Sequence, residues 1–376
     1  MSSTVDRVPL TQRTLALREE LRAAARQYGS SLVRLAARSA LLRWQRGYGP
    51  REALFEGLLD PALPRERWAL AVPKHRMMHL QKRFNPDDHL VLTEDKVLFD
   101  AYCRRLELPV PRTLAVLRRP SGWKTDGTPL RAAAEWATFF ERELPAEFVV
   151  KPADGFWGLG VRAFARQGDA FGESSGRVFS AAELAAELVA AAPRNQTLVL
   201  QERLHNHQAI AALSGAAGLQ TVRMVTLVHD DGSAGLYLTA QRIIGGEAIV
   251  DNFKSGRGNL IALADPASGV LDRATSWRPP AVGPVYFTDH PGTGARIPGF
   301  ALPCYEEACD LVLRAARLFL PLRTIGWDVA VTPSGPVLVE GNARWDPVSW
   351  LLMTTGSEEA HRRWGLLLHA LEAEDR

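Results

Sequence analysis

Three oxygen-bearing residues near the C-terminus stand at a spacing that suits a hard cation. Asp328 lies in one apolar run, Trp327–Val331. Glu340 and Asn342 end a second run that begins at Pro336. A Thr-Pro-Ser-Gly stretch (332–335) separates the runs, which is a hairpin signal. Strand side chains alternate faces, so Glu340 and Asn342 point the same way, and a turn near Ser334 brings Asp328 opposite them. Carboxylate and amide oxygens of this kind suit Mg²⁺, which keeps part of its water shell and shares itself with substrate phosphates.

A second chemical signal lies upstream. The strand-like run Glu147–Val150 ends on Lys151 and opens into Pro-Ala-Asp154-Gly155-Phe-Trp-Gly158-Leu-Gly160. Glycines let backbone N–H groups close around phosphate oxygens, and a lysine at the strand end adds a point charge. The loop lacks the GK[ST] ending of a Walker loop, and it does not open a helix as GxGxxG does. A glycine-rich hairpin turn would account for it equally well. Asp328, Glu340 and Asn342 would likewise pass for the polar tips of an ordinary hairpin if they stood alone.

The elements that must hold these groups follow from pattern. The chain has 376 residues, 46% hydrophobic and 23% charged, which allows two or three domains with sizeable cores. Net charge is +3, so nothing global calls for nucleic acid. Residues 1–90 are basic, with 16 Lys+Arg against 9 Asp+Glu. They read as arginine-faced helices through residue 60 and as a connector over 61–90. Those helices could touch acidic lipid as a peripheral membrane contact, although a solvated face is the simpler expectation. Thr93 and Asp95 cap a helix over Lys96–Leu106, and residues 130–143 form another. Ser180-Ala-Ala-Glu183 is a capping box. The runs Val222–Val228, Leu236–Ile244 and Leu260–Leu263 alternate with turns and read as antiparallel strands, with Arg223 in mid-strand. Tyr305–Leu318 reads as a helix, as does the chain beyond Trp350.

His75, His79 and His89 lack a metal-ligand pattern, and Cys103, Cys304 and Cys309 form no CxxC. No apolar run is long enough to span a membrane and no signal-peptide core is present, so the cytoplasm is the expected compartment.

Taken in order, these parts resemble the ATP-grasp superfamily from about Asp95 to Asp346. The stretches Val149–Gly160, Thr221–Thr226, Val250–Gly258, His290–Gly294 and Ile325–Asp346 are similar to the sugar-transfer-associated ATP-grasp family, related to α-L-glutamate ligases. The resemblance implies an α+β fold in which two subdomains clasp ATP between antiparallel sheets, here behind a helical N-terminal region. The expected divisions are 1–90 (helical), 91–200 (small subdomain with glycine-rich lid) and 201–376 (large subdomain with the metal site). It further implies that Lys96 and Lys151 hold ATP phosphates and that Asp154–Gly160 closes over them. Gln201, Glu202 and Leu204 would line the adenine. Asp328, Glu340 and Asn342 would bind a pair of Mg²⁺ ions, for which Mn²⁺ could substitute. Arg223 would steady the transferred phosphoryl group, with Asn252 and Arg257 on the acceptor side.

The activity so implied is an ATP-dependent carboxylate–amine ligase working through an acyl phosphate. Its substrates would be a small-molecule acid and an amine, such as an amino acid or a polysaccharide or natural-product intermediate. A kinase acting on a hydroxyl acceptor, or a non-catalytic nucleotide-binding component, would share the ATP half.

Overall fold

The computed structural model describes residues 10–118, 121–154, 160–191, 196–246, 251, 258–277, 282–347 and 355–373. Helices come first: α1 (Leu10–Gln27), α2 (Leu32–Arg46), α3 (Pro50–Phe55) and α4 (Lys74–Phe84). Ser31 caps α2 by accepting from the Arg34 N–H at 3.2 Å, and Gly47 ends it with φ of 80°. The expected connector over 61–90 is instead structured. Met77, Leu80, Gln81 and Phe84 recur at helical spacing and are buried. Lysine, arginine and histidine at the intervening positions mask that pattern in the sequence.

Two further helices, α5 (Val91–Glu94) and α6 (Lys96–Arg105), lead into the first sheet. Its elements are β1 (Thr113–Arg118), β2 (Ser121–Lys124), β3 (Pro129–Leu130), α7 (Ala133–Arg142), β4 (Glu147–Pro152), β5 (Arg162–Gln167), β6 (Ala170–Glu173), β7 (Val178–Ser180), α8 (Ala181–Ala191) and β8 (Thr197–Glu202). The order among the described residues is β3-β2-β1-β8-β4-β5-β6-β7, antiparallel throughout. An aromatic core of Trp136, Phe139, Phe140, Phe148, Phe164 and Phe171 joins α7 and α8 to the sheet. The Ser180–Glu183 capping box forms, with Glu183 N donating to Ser180 Oγ at 3.2 Å and Ser180 N to Glu183 Oε2 at 2.8 Å.

The second sheet follows α9 (Gln208–Ser214). It comprises β9 (Thr221–Val228), β10 (Ala234–Ile243), β11 (Leu260–Ala264), β12 (Leu271–Ser276), β13 (Val285–Phe287), α10 (Tyr305–Leu318), β14 (Thr324–Thr332) and β15 (Gly335–Asn342), and α11 (Glu358–Ala373) closes the described chain. Its order is β13-β12-β11-β10-β9-β14-β15, also antiparallel. One face carries Val222, Met224, Val228, Ile325, Trp327 and Val329 in a core shared with α10. The opposite face places Val225, Leu227, Leu238, Ala240, Ile261 and Leu263 in a core with the N-terminal helices and α11.

Residues 1–90 were expected to form a region of their own, but the described part shares this sheet's core. Packing also moves two other boundaries. Phe99 and Cys103 of α6 lie in the second sheet's core, whereas Gln201 and Glu202 end a strand in the middle of the first sheet. Burial of the apolar side of each element decides these assignments, not its order along the chain.

Candidate active site

The strand order β10-β9-β14-β15 assembles a row of charge from two strand pairs, β9/β10 and β14/β15, that are distant in sequence. Arg223 on β9 faces Asp328 on β14, which in turn pairs with Glu340 on β15. Asn342 pairs with Gly326 on the same hairpin. Arg223 grips the Asp328 carboxylate with two bonds, Nε to Oδ1 at 2.6 Å and Nη2 to Oδ2 at 3.1 Å. From the other side of β9, Arg242 on β10 donates Nη1 to Asp328 Oδ2 at 3.1 Å. Gly326 makes room for this arrangement. A Cβ there would lie 2.7 Å from Trp345 Cβ and 3.3 Å from Arg223 Cδ.

Asp328 is nearly fully buried, and burial alone would raise its pKa. The Arg223 and Arg242 charges outweigh that and hold it at about 2. Arg242 is also held charged: burial acts against it, but Asp328 and Asp251 outweigh the burial. Asp251 is itself buried and is pushed up to about 6 by that burial, with Arg242 opposing. Its Oδ2 accepts from both Thr221 N at 2.5 Å and Thr221 Oγ1 at 2.6 Å.

The two lysines come from different parts of the fold, Lys151 from β4 of the first sheet and Lys96 from α6, which packs on the second. Asp95 caps α6 by accepting from Val97 N at 2.8 Å and Leu98 N at 3.1 Å. Lys96 begins that helix, and its backbone N–H bonds Ala153 O at 3.0 Å, just beyond the end of β4. A lysine in a helix's first turn opposes the helix dipole, so the position is not chosen for helix stability. Its Nζ lies 3.8 Å from Glu340 Oε2. Gly341 permits this approach, since a Cβ there would meet Thr93 of α5 at 3.2 Å and Phe99 of α6 at 3.3 Å. Lys151 is the penultimate residue of β4 and is buried. Burial pushes its amine down to about 8, the neighbouring Lys96 charge adds to that, and Glu340 and Asp100 oppose it.

The structure therefore brings together Lys96, Lys151, Arg223, Asp328, Glu340 and Asn342. Gln201 lies in β8, paired with Thr113 and Val149 of the flanking strands. Its amide donates to Thr113 Oγ1 at 3.0 Å, while its buried Oε1 has no hydrogen-bond partner among the described residues. The Glu202 side chain is taken up by Arg112, with Oε1 accepting from the backbone N–H at 2.8 Å. Any contact of Glu202 with a base would thus fall to its backbone. Leu204 is half-buried, and Asp154 is exposed. Gly160 has φ of 75° and lies against Pro152. Gly155, Gly158, Asn252 and Arg257 lie outside the described residues.

His290, His207 and His205 are committed elsewhere. His290 accepts from Gly292 N (3.2 Å) and Thr293 N (3.1 Å) at Nδ1, so Nε2 carries the proton toward Ile244 O at 2.8 Å. His207 caps α9 through Nδ1, and His205 pairs with Glu147 at 2.7 Å.

Three residues at or beside the site escaped the sequence reading: Arg242, Asp251 and Asn85. Asn85 is fully buried after α4. It donates to Thr324 O at 2.6 Å and Ala343 O at 2.7 Å, and accepts from Thr324 N at 3.1 Å. It thus ties the start of β14 to the residue just past β15. The Asn-Pro pair at 85–86 reads as a turn, which hides this role.

The donor set fits a divalent cation. Asn342 spends its Nδ2 on Gly326 O at 3.2 Å and Glu340 Oε1 at 3.4 Å, which leaves its carbonyl oxygen for another partner. Arg223, Arg242 and Lys96 already balance the paired Asp328 and Glu340 carboxylates, so the fit to a metal rests on the hard-oxygen chemistry of the three side chains. Among the described residues no cluster of three His, Cys, Asp or Glu side chains forms, so the site depends on that amide oxygen.

A family model described as "Sugar-transfer associated ATP-grasp" matches residues 75–362. No curated protein sequence matches the chain. Solved structures similar to it include an N5-carboxyaminoimidazole ribonucleotide synthetase, at 12% identity and TM-score 0.41, over 80% of this chain and 58% of that one. An L-amino acid ligase from Bacillus licheniformis is 12% identical with TM-score 0.40, over 80% and 56%. A D-cycloserine synthetase is 14% identical with TM-score 0.40, over 79% of each. The chain spans less than two thirds of the first two proteins' length. At these identities the likeness concerns the fold alone.

Proposed function

Because the chain belongs to the sugar-transfer-associated ATP-grasp family, we propose that it is an ATP-dependent ligase joining a small-molecule carboxylate to an amine through an acyl phosphate. The observation that carries this reading is the Arg223–Asp328–Glu340–Asn342 row facing Lys96 and Lys151. Phosphoryl transfer asks for positioning and charge neutralisation more than for covalent help, and a row of this kind supplies both.

Asp328, Glu340 and Asn342 would hold Mg²⁺, as one ion or a pair. Bound there, the metal would neutralise phosphate charge and orient the γ-phosphoryl group. Lys96 and Lys151 bind the phosphates. A phosphate beside Lys151 restores the charge that burial suppresses. Arg223, anchored by Asp328, holds a fixed cation beside the phosphoryl group as it moves to the substrate carboxylate. The Asp154–Gly160 segment covers the reaction and keeps water from the acyl phosphate. Gln201, Glu202 and Leu204 line the base. Asn252 and Arg257 serve the acceptor side. An amino acid, or a polysaccharide or natural-product intermediate, would supply the carboxylate or the amine.

Among the described residues no helix is long and apolar enough to cross a membrane.

The test is ADP release by the purified protein with MgATP and panels of acids and amines, followed by mass spectrometry. Release that needs an acid, hydroxamate formation with hydroxylamine, and an amide once the amine is added are expected. A phosphorylated product stable to hydroxylamine, with no amide, would replace the ligase by a kinase. No nucleotide binding at all would end both.

A further inference from the structure

The carboxylate expected to hold the metal is already occupied by arginine. Asp328 Oδ1 accepts from Arg223 Nε, and Oδ2 accepts from both Arg223 Nη2 and Arg242 Nη1. A divalent cation at that carboxylate would sit close to two guanidinium groups on a buried residue, where like charges repel strongly. One of the arginines must give way.

The geometry distinguishes them. Arg223 holds both oxygens in a fork, and among the described residues Asp328 is its only ion-pair partner. Leaving it would strand a buried cation. Arg242 holds one oxygen by one nitrogen, and that same Nη1 lies 3.9 Å from Asp251 Oδ1. Asp251 is fixed for the exchange, because Thr221 N and Oγ1 both bind its Oδ2, leaving Oδ1 toward Arg242. A movement of about 1 Å closes 3.9 Å to the ordinary length of a charge-assisted bond. Arg242 then loses one such bond and gains another, and it stays half-buried and paired at both ends of the exchange.

We propose that Arg242 is a positioning residue that passes from Asp328 to Asp251 when the divalent cation binds. Asp251 acts as the receiving carboxylate and sets metal affinity without touching the metal. The exchange rests on the ATP and metal reading of the site. It also ties metal occupancy to the residue directly before Asn252, which that reading places on the acceptor side. A structural ion pair would strengthen the fold without distinguishing metal-free from metal-loaded protein. An exchange pair must distinguish them.

The experiment titrates Mn²⁺ into the full chain at saturating ADP, following free Mn²⁺ by electron paramagnetic resonance, with ADP binding in EDTA measured separately. Asp251→Asn keeps an acceptor for Thr221 and removes the receiving charge. It is expected to weaken Mn²⁺ binding about tenfold while leaving ADP binding in EDTA within about twofold. In an Arg242→Gln background the same change should have no further effect on Mn²⁺. Asp251→Glu should recover most of the lost affinity. An equal Mn²⁺ loss in both backgrounds, an unchanged Mn²⁺ affinity, or a matching loss of ADP binding in EDTA would each overturn the exchange. If Arg242→Gln does not fold, Arg242→Lys replaces it. Lysine cannot present a guanidinium to Oδ2, so Asp251→Asn should then cost less than threefold, and an undiminished tenfold loss overturns the proposal. Wild-type protein that binds neither ADP nor Mn²⁺ would refute the nucleotide reading itself, an outcome distinct from all of these.

Discussion

One face of the second sheet is divided into two halves of opposite character. Along β9, Thr221 and Arg223 lie in the charged row, while Val225 and Leu227, on the same side of the same strand, lie in the core with the N-terminal helices. β10 makes the same change from Arg242 to Ala240 and Leu238. On β14 it runs from Asp328 through Gly326 to Thr324, where Asn85 and Trp345 take over. The strands are continuous, so the covered half holds the backbone that aims the other half. The covered half is mostly apolar packing. In the charged half Asp328 is answered by more cations than one carboxylate needs, and Lys96 and Lys151 crowd each other. A fold optimised for stability alone would not arrange charge this way. The N-terminal helices are thus the floor under the site's strands, and part of their basic character is internal: buried Arg38 donates to Leu58 O and Leu63 O, and Arg46 to Ala69 O and Ala71 O.

Four substitutions would break or sharpen that contrast. Asp328→Asn, in the charged half, should abolish ADP release, by about 10³-fold or more, while the folded chain persists. Circular dichroism beside a turnover assay checks this, and a variant with near wild-type turnover would sink the assignment. Trp364→Ala acts on the covered half. Trp364 is fully buried, packs edge-on against Trp345 at 6.3 Å and donates to Leu70 O at 2.9 Å. Its loss should cost about 3–5 kcal/mol in denaturant unfolding. Residual folded protein should still bind nucleotide.

Asn85→Ala sits on the boundary between the halves. It removes the three hydrogen bonds by which Asn85 joins the two ends of the hairpin and should cost about 1–3 kcal/mol. Because those ends set the Asp328–Glu340 register, it should also weaken Mn²⁺ binding, whereas a stability loss with unchanged metal affinity would separate the halves.

The smallest effect is expected at Glu56, beneath the N-terminal helices. It is buried, and Tyr48 donates to it at 2.9 Å. Burial raises its pKa well above 4.5, and the Tyr48 bond opposes this only in part. The folded state therefore keeps a proton that the unfolded chain releases, and stability falls as pH rises from about 4.5 toward the folded value. Glu56→Gln should flatten that part of the profile and raise the melting temperature at pH 8. Parallel pH dependences in both proteins would refute the buried-acid account.

Much of the site was legible in the chain. Asp328, Glu340 and Asn342 were readable because strand alternation and a Thr-Pro-Ser-Gly turn fix which side chains share a face. Lys151 stood out at a strand end before glycines, whereas Lys96 was marked only by the family resemblance, the Asp95 cap showing no more than that a helix starts there. Arg242 carried no such mark, since an arginine near the end of a strand resembles many others. Asp251 lay among polar residues beside Asn252, the more conspicuous side chain. Residues 61–90 read as a connector because charged and histidine positions interrupt the apolar spacing of α4.

By itself, the sequence determined the local elements and the chemical types available: a hairpin of hard oxygens, a lysine before glycines, helices with their caps. These depend on neighbours within a few residues, which the order of the chain specifies directly. Tertiary structure alone decided which groups meet. The order β10-β9-β14-β15 places Arg242, Arg223, Asp328 and Glu340 in one row, although more than ten residues separate each from the next. Burial of the helices on the same face decided that residues 10–90 support the site's strands. Those choices follow from packing and charge summed over the whole molecule, and no short stretch of sequence contains that sum.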